Sequence, residues 1–178
     1  MTALADGLSV GRLLLAAALP WALVRGGWLP PLLFVVAAAS DYVDGPLARR
    51  AGRASSYGGV LDNVADVAFV LAGTGTAAWL GLVSWATPAA IACSSGSYAL
   101  ASRRLSRGTE APQLARSRLG HWAGVCNYAC VGVVAVGDLA GRPLVAGAGW
   151  LTAAVNLFAV ASRWLPSKRG GADGIERP

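Results

Sequence analysis

Residues 41–66 read DYVDGPLARRAGRASSYGGVLDNVAD and connect two apolar segments, 28–48 and 59–82. Each of these segments has the roughly 20 residues that a helix needs to cross a bilayer. The connection between two consecutive membrane helices stays on one side of the membrane. We therefore expect the four aspartates of this stretch to lie together at one membrane face, at the ends of two helices.

The rest of the chain has the composition of a membrane protein. Of its 178 residues, 55% are apolar and 13% are charged, which is unusual for a soluble domain. The apolar segments lie at 7–24, 28–48, 59–82, 84–100, 120–136 and 144–165. We predict an all-α integral membrane protein in which six transmembrane helices form one domain over residues 1–165, followed by a disordered tail over residues 166–178.

Arginines are unevenly distributed among the connections between these segments. The second and fourth connections are rich in them, whereas the first and fifth hold only Arg25 and Arg142. Arginine-rich connections of membrane proteins face the cytoplasm. We therefore predict a multi-pass protein of the cell membrane with both termini in the cytoplasm and the active site at the cytoplasmic ends of helices 2 and 3. No nucleic-acid partner is expected, because the net charge of +6 is not gathered on one water-facing element.

The four aspartates of residues 41–66 form two pairs with helical spacing. Asp41 and Asp44 are three residues apart, and Asp62 and Asp66 are four apart, so each pair shares one helix face. Carboxylates within a bilayer are costly unless cations neutralise them. Four converging carboxylates match a hard divalent cation, and we predict a site for Mg²⁺ or Mn²⁺ that holds one or two ions.

Small residues and an arginine lie between the two acidic pairs. Gly45, Ala48 and Gly58 leave room for a ligand to approach the backbone. Arg49 offers a planar, bidentate donor that suits phosphate oxygens. Metal ions together with this arginine indicate that the ligand is a diphosphate.

These residues resemble the signature of the class I CDP-alcohol phosphatidyltransferase family, D-x2-D-G-x2-A-R-x8-G-x3-D-x3-D. All eight fixed positions are present, as Asp41, Asp44, Gly45, Ala48, Arg49, Gly58, Asp62 and Asp66. The resemblance implies a six-helix membrane enzyme, often a homodimer, that joins a CDP-linked lipid or alcohol to a second alcohol and releases CMP. In phospholipid biosynthesis such an enzyme transfers a phosphatidyl group from CDP-diacylglycerol.

The resemblance also implies roles for individual residues. The metal ligands that it implies are Asp41, Asp44, Asp62 and Asp66. Asp66 would in addition act as the general base toward the acceptor hydroxyl. The residues implied for binding the CDP-linked donor are Gly45, Arg49 and Ser55, with Ala48 and Gly58 beside them.

The first apolar segment begins with a second, partial resemblance. Residues 6–12 read DGLSVGR, which is similar to the family's Asn-x-Leu-Thr-x-x-Arg with Asp in place of Asn and Ser in place of Thr. Ser9 is therefore a further candidate for donor binding, and its alternative role is the N-cap of the first helix. Arg12 is a candidate to face the active-site cavity.

The fourth connection supplies candidates for acceptor binding. Its arginines are Arg103, Arg104, Arg107, Arg116 and Arg118. They suit an anionic acceptor, and glycerol 3-phosphate is the leading one, although membrane orientation alone also explains these arginines. Subfamilies that make phosphatidylglycerophosphate often have Pro and Lys where this chain has Asn63 and Val67. Inositol phosphate, serine and phosphatidylglycerol therefore stay open as acceptors.

Two other functions share part of this pattern. Intramembrane prenyltransferases bind diphosphates through metal-bridging aspartates, but their acidic motifs lie far apart in sequence and their helix bundles are larger. A cation transporter also carries acids within the membrane, but Arg49 would repel the transported cation. Both functions are kept as less favoured alternatives.

Overall fold

The computed structural model of the chain describes residues 2–50, 56–106 and 118–164, and it gives the backbone alone for residues 2–9, 41–50, 56–59, 105 and 138. All regular structure in these residues is helical. The helices are α1 (Thr2–Arg25), α2 (Leu29–Arg50), α3 (Ser56–Trp79), α4 (Ala86–Leu105), α5 (Arg118–Ala135), α6 (Gly137–Ala140) and α7 (Arg142–Trp164). The predicted all-α class is confirmed for the described part of the chain.

Each long helix covers one of the predicted apolar segments, and α6 is an additional single turn. The helices differ from the segments at their ends. α1 begins at Thr2 rather than at residue 7, and α4 continues to Leu105 rather than to residue 100. Hydropathy marks the apolar part of a helix, whereas the hydrogen-bonded backbone continues into polar residues. Helical order therefore extends past the apolar segments at the end of the bundle where the aspartates lie.

Many large apolar side chains are exposed on the described part of the bundle. Within the described side chains, two segments are long and apolar enough to cross a membrane, Val60–Trp79 and Arg142–Trp164, and a shorter apolar helix covers Leu29–Ser40. Large apolar side chains that are more than half exposed include Leu14, Trp28, Trp79, Leu151 and Phe158. Such a surface is unfavourable in water and suits lipid. The count of six transmembrane helices stays a prediction.

Helices α1, α3 and α5 meet in the middle of the bundle. α1 packs against α2 and α3, while α5 packs against α2, α3 and α7. Leu19 of α1, Phe69 of α3 and Val131 of α5 are fully buried in one apolar cluster. A methyl group on Gly73 would lie 3.0 Å from Leu19 Cδ2 and 3.1 Å from Val131 Cγ1. The glycine therefore lets the three helices approach closely.

α1 and α3 run in the same direction. Arg12 contacts Asp66, and two turns further along both helices Leu19 lies beside Gly73, where an added methyl group would meet it. The turn that ends α1 contains Gly26 and Gly27, with φ of 69° and 76°, a left-handed conformation that glycine adopts without steric cost. The parallel pairing brings the first half of α1 beside the first half of α3, at the end of the bundle that carries the aspartates.

Candidate active site

Two of the four aspartates predicted for the site, Asp62 and Asp66, lie on one face of α3. Asp62 and Asp66 are one turn apart on the stripe that continues through Phe69 and Gly73 toward α1 and α5. This stripe is apolar and buried further along the helix, so the carboxylates occupy its polar end. The Asp62 and Asp66 side chains are 43% and 29% exposed. The pair is therefore partly buried and accessible to a ligand.

Arg12 of α1 joins the two carboxylates. Its Nη1 donates to Asp62 Oδ1 at 2.7 Å and to Asp66 Oδ1 at 2.5 Å. The Arg12 side chain is completely buried. A buried guanidinium is costly in solvation free energy unless carboxylates and hydrogen bonds compensate it. Arg12 therefore both depends on the two aspartates and holds them together from the buried side.

Tyr128 of α5 is a second donor to Asp66. Its hydroxyl donates to Asp66 Oδ1 at 2.8 Å. Its ring stacks on Phe69, with 5.9 Å between the ring centroids and 23° between the ring planes. No sequence motif marks Tyr128, because a tyrosine within an apolar helix matches no position of the signature. The packing of α5 against α3 brings it to the site. Three helices thus converge on one carboxylate oxygen.

The donor set of the site suits a hard divalent cation. Among the described side chains, no three His, Cys, Asp or Glu residues form a metal site. Asp62 and Asp66 provide carboxylate oxygens, and Asp41 and Asp44 lie one turn apart near the end of α2, where the backbone is described. Helix α1 packs against both α2 and α3. Oxygen ligands of this kind fit Mg²⁺ or Mn²⁺, with the four aspartates as the predicted ligands.

The other predicted donor-binding residues lie on the helix ends next to the aspartates. Gly45, Ala48 and Arg49 belong to the last turns of α2, and Gly58 belongs to the first turn of α3. Ser55 lies outside the described residues. The end of α2 and the start of α3 therefore carry both acidic pairs together with the small residues of the signature.

Ser9 lies within α1, and this excludes one of its two predicted roles. Since α1 begins at Thr2, Ser9 is already inside the helix, so the interpretation of Ser9 as an N-cap is wrong. Ser9 is one turn before Arg12, and residues at this spacing share a helix face. Arg12 donates hydrogen bonds to Asp62 and Asp66, so this part of α1 lies beside the site. Donor binding by Ser9 stays a prediction.

The described arginines of the fourth connection lie in the last turn of α4 and at the start of α5. Arg104 of α4 lies over the ring of Trp164 in α7, with 4.6 Å from the guanidinium carbon to the ring centroid. The remaining members are Arg103 and Arg118, which are exposed, and Arg107 and Arg116, which lie outside the described residues. Arg104 therefore contributes a cation–π contact between α4 and α7, whereas Arg12 contacts Asp62 and Asp66.

Comparison with protein families identifies the family of this chain. The family model for CDP-alcohol phosphatidyltransferase matches residues 2–162. The chain belongs to this family. A comparison with curated proteins found no match. The matched region includes the stretch 41–66 and Arg12, Asp62, Asp66 and Tyr128, so the resemblance inferred from the signature is confirmed.

Membership of the CDP-alcohol phosphatidyltransferase family assigns the general chemistry. The family is a group of membrane-associated phosphotransferases of phospholipid biosynthesis that act on CDP-alcohol donors and alcohol acceptors. Its members are generally dependent on divalent metal ions. Together with the two apolar helices, membership indicates a membrane protein.

Proposed function

We propose that this protein transfers a phosphatidyl group from CDP-diacylglycerol to a small hydroxylated acceptor and releases CMP. Glycerol 3-phosphate is the leading acceptor, and inositol phosphate, serine and phosphatidylglycerol are the alternatives. The observation that carries the proposal is the convergence of Asp62 and Asp66 on Arg12 at one end of α3. These are the third and fourth aspartates of a complete family signature.

The reaction assigns a distinct task to each group of residues. Asp66 accepts the proton of the acceptor hydroxyl, whose oxygen forms a new bond to the phosphorus that carries diacylglycerol. The bond from that phosphorus to the oxygen of the CMP phosphate breaks, and CMP leaves with the bonding electrons. Arg49 binds the diphosphate oxygens, and Gly45, Ala48, Ser55, Gly58 and Ser9 complete the donor site.

The metal site of this proposal consists of Asp41, Asp44, Asp62 and Asp66. One or two bound Mg²⁺ or Mn²⁺ ions would supply electrostatic stabilisation of the diphosphate charge. Arg12 keeps Asp62 and Asp66 together through its Nη1, at 2.7 Å and 2.5 Å from their Oδ1 atoms. The partial exposure of both carboxylates, 43% and 29%, leaves a side from which substrate can reach them.

The proposal includes the setting in which the enzyme works. We place it in the cell membrane as a multi-pass homodimer with both termini cytoplasmic and residues 166–178 as a cytoplasmic tail. The arginine-rich second and fourth connections support this orientation. Family membership favours phosphatidyl transfer over the prenyltransferase and cation-transporter alternatives.

CMP release by the purified protein in detergent tests the proposal. CDP-diacylglycerol and Mg²⁺ or Mn²⁺ are supplied with each acceptor in turn, including inositol, and EDTA serves as the metal-free control. We expect release with one acceptor and none with EDTA. Asp66→Asn should lower the rate about 100-fold or more, whereas Asp138→Asn, the same substitution in α6, should leave it unchanged. A folded Asp66→Asn variant with the wild-type rate would refute the assigned mechanism.

A further inference from the structure

We propose that Tyr128 is a positioning residue that fixes the carboxylate of Asp66 for proton transfer. The inference rests on the proposed function, because it assumes that Asp66 takes the proton of the acceptor hydroxyl. Neither the signature nor the first apolar segment contains Tyr128, which lies in α5. Its assignment comes from its contact with Asp66 Oδ1.

The geometry at Asp66 Oδ1 restricts the rotation of the carboxylate. Tyr128 Oη donates to this oxygen at 2.8 Å, and Arg12 Nη1 donates to the same oxygen at 2.5 Å. The two donors come from two different helices, α5 and α1, and both of these helices pack against α3. Turning the carboxylate about the Cβ–Cγ bond would break both hydrogen bonds. Tyr128 and Arg12 therefore set the direction in which the second carboxylate oxygen points.

The Tyr128 hydroxyl is itself held in place by the stacking of its ring. The ring lies on Phe69, with 5.9 Å between centroids, and Phe69 is fully buried. Phe69 and Asp66 are three residues apart on α3, so both contacts of Tyr128 are made to one helix face. The ring is held by stacking on Phe69 and the hydroxyl by its hydrogen bond to Asp66. The Tyr128 side chain therefore has little freedom to move with the carboxylate. The position of the Asp66 carboxylate therefore depends on the packing of α5 against α3.

Fixed orientation matters because a general base works only within hydrogen-bond reach and alignment of the proton that it takes. Tyr128 keeps its own proton throughout the reaction, and no bond to it forms or breaks. Removal of its hydroxyl leaves the residues proposed to bind CDP-diacylglycerol in place but lets the Asp66 carboxylate turn. The loss should therefore fall on the rate of the chemical step rather than on donor binding.

Tyr128→Phe tests the inference, because it removes the hydroxyl and keeps the stacked ring. We expect kcat for CMP release to fall about 10- to 100-fold, as for other residues that orient a reactive group, with KM for CDP-diacylglycerol within about twofold of wild type. Tyr98→Phe is the matched control. Tyr98 lies on α4, and its ring centroid is 5.7 Å from the guanidinium carbon of Arg163. Loss of the Tyr98 hydroxyl should change neither kcat nor KM.

A double variant separates positioning from an independent effect. If Tyr128 acts through Asp66, adding Tyr128→Phe to Asp66→Asn should not slow the residual CMP release further. An equal fold-loss in both backgrounds would overturn the inference, as would a Tyr128→Phe enzyme with wild-type kcat. A lowered melting temperature with unchanged kcat per folded molecule would show a purely structural role and would also overturn it.

The outcomes distinguish this inference from the proposed function. Wild-type protein that is folded but releases no CMP with any acceptor would overturn both. An active wild type, an inactive Asp66→Asn variant and a Tyr128→Phe variant equal to Tyr98→Phe would overturn the role of Tyr128 alone. An active wild type with a slow Tyr128→Phe variant and no further loss in the double variant is the expected result.

Discussion

Replacing Arg12 with methionine removes the positive charge that lies between Asp62 and Asp66 and keeps a long, unbranched side chain at the same position. The Arg12 side chain is completely buried between α1 and α3. The two carboxylates then face each other without the cation that joins them. We expect the Arg12→Met variant to be less stable than wild type in detergent solution containing EDTA.

The size of this effect follows from the burial of the three side chains. Removing one partner of a buried ion pair costs about 3 to 5 kcal/mol, because the other partner stays charged in a poorly solvated place. The Asp62 and Asp66 side chains are 43% and 29% exposed, so water solvates them in part. We therefore expect the low end of the range, about 3 kcal/mol of unfolding free energy. For a chain of this size, that loss lowers Tm by roughly 6 to 12 °C.

Thermal unfolding followed by tryptophan fluorescence measures the change, with and without Mn²⁺. The control is Arg142→Met, which removes an exposed arginine at the start of α7 and should leave Tm almost unchanged. Bound Mn²⁺ restores positive charge beside the carboxylates, so it should raise Tm more in Arg12→Met than in wild type. Adding Asp62→Asn and Asp66→Asn to Arg12→Met should recover part of the lost stability.

Two results would refute this reasoning. An Arg12→Met variant with the wild-type Tm in EDTA would mean that the two ion pairs contribute no net stability. A triple variant that is no more stable than Arg12→Met would mean that the loss comes from the fit of methionine in the buried site. In that case charge compensation would not be the reason for the position of Arg12.

Further predictions concern helix packing and the metal site. A methyl group on Gly132 would lie 2.8 Å from Phe34 Cζ, whereas Gly124 on the same helix has no such neighbour within 4 Å. Gly132→Ala should therefore cost about 1 kcal/mol or more in unfolding free energy, and Gly124→Ala should not lower Tm; equal Tm values would contradict this. Asp41→Asn should weaken Mn²⁺ binding, measured by electron paramagnetic resonance, about tenfold or more, with Asp138→Asn as the control. Unchanged Mn²⁺ affinity in Asp41→Asn would remove Asp41 from the metal site.

The acidic pair of α3 was predictable because it depends on local geometry. Residues four apart on a helix share a face, so the sequence alone places Asp62 beside Asp66. The same holds for the long helices, whose apolar segments are visible in the sequence. Helix ends were predicted less well, because α1 and α4 continue into polar residues that hydropathy does not mark as helical.

Arg104 makes a contact that no local sequence pattern predicts. Counting arginines in the fourth connection did not reveal that Arg104 lies over Trp164 of α7. That contact depends on the packing of α4 against α7, which joins residues far apart in the chain. The role of Ser9 as an N-cap was wrong for a related reason, since α1 begins before the apolar segment that marked it.

The sequence by itself determined that this chain is helical, apolar and a member of the CDP-alcohol phosphatidyltransferase family, because these properties depend on composition and on spacing within short segments. Only the tertiary structure decided that Arg12 and Tyr128 both donate to Asp66 Oδ1. Each lies on a different helix, and the rotation of α1 and α5 about their axes relative to α3 is set by packing around Leu19, Phe69 and Val131. No local spacing in the sequence encodes that rotation.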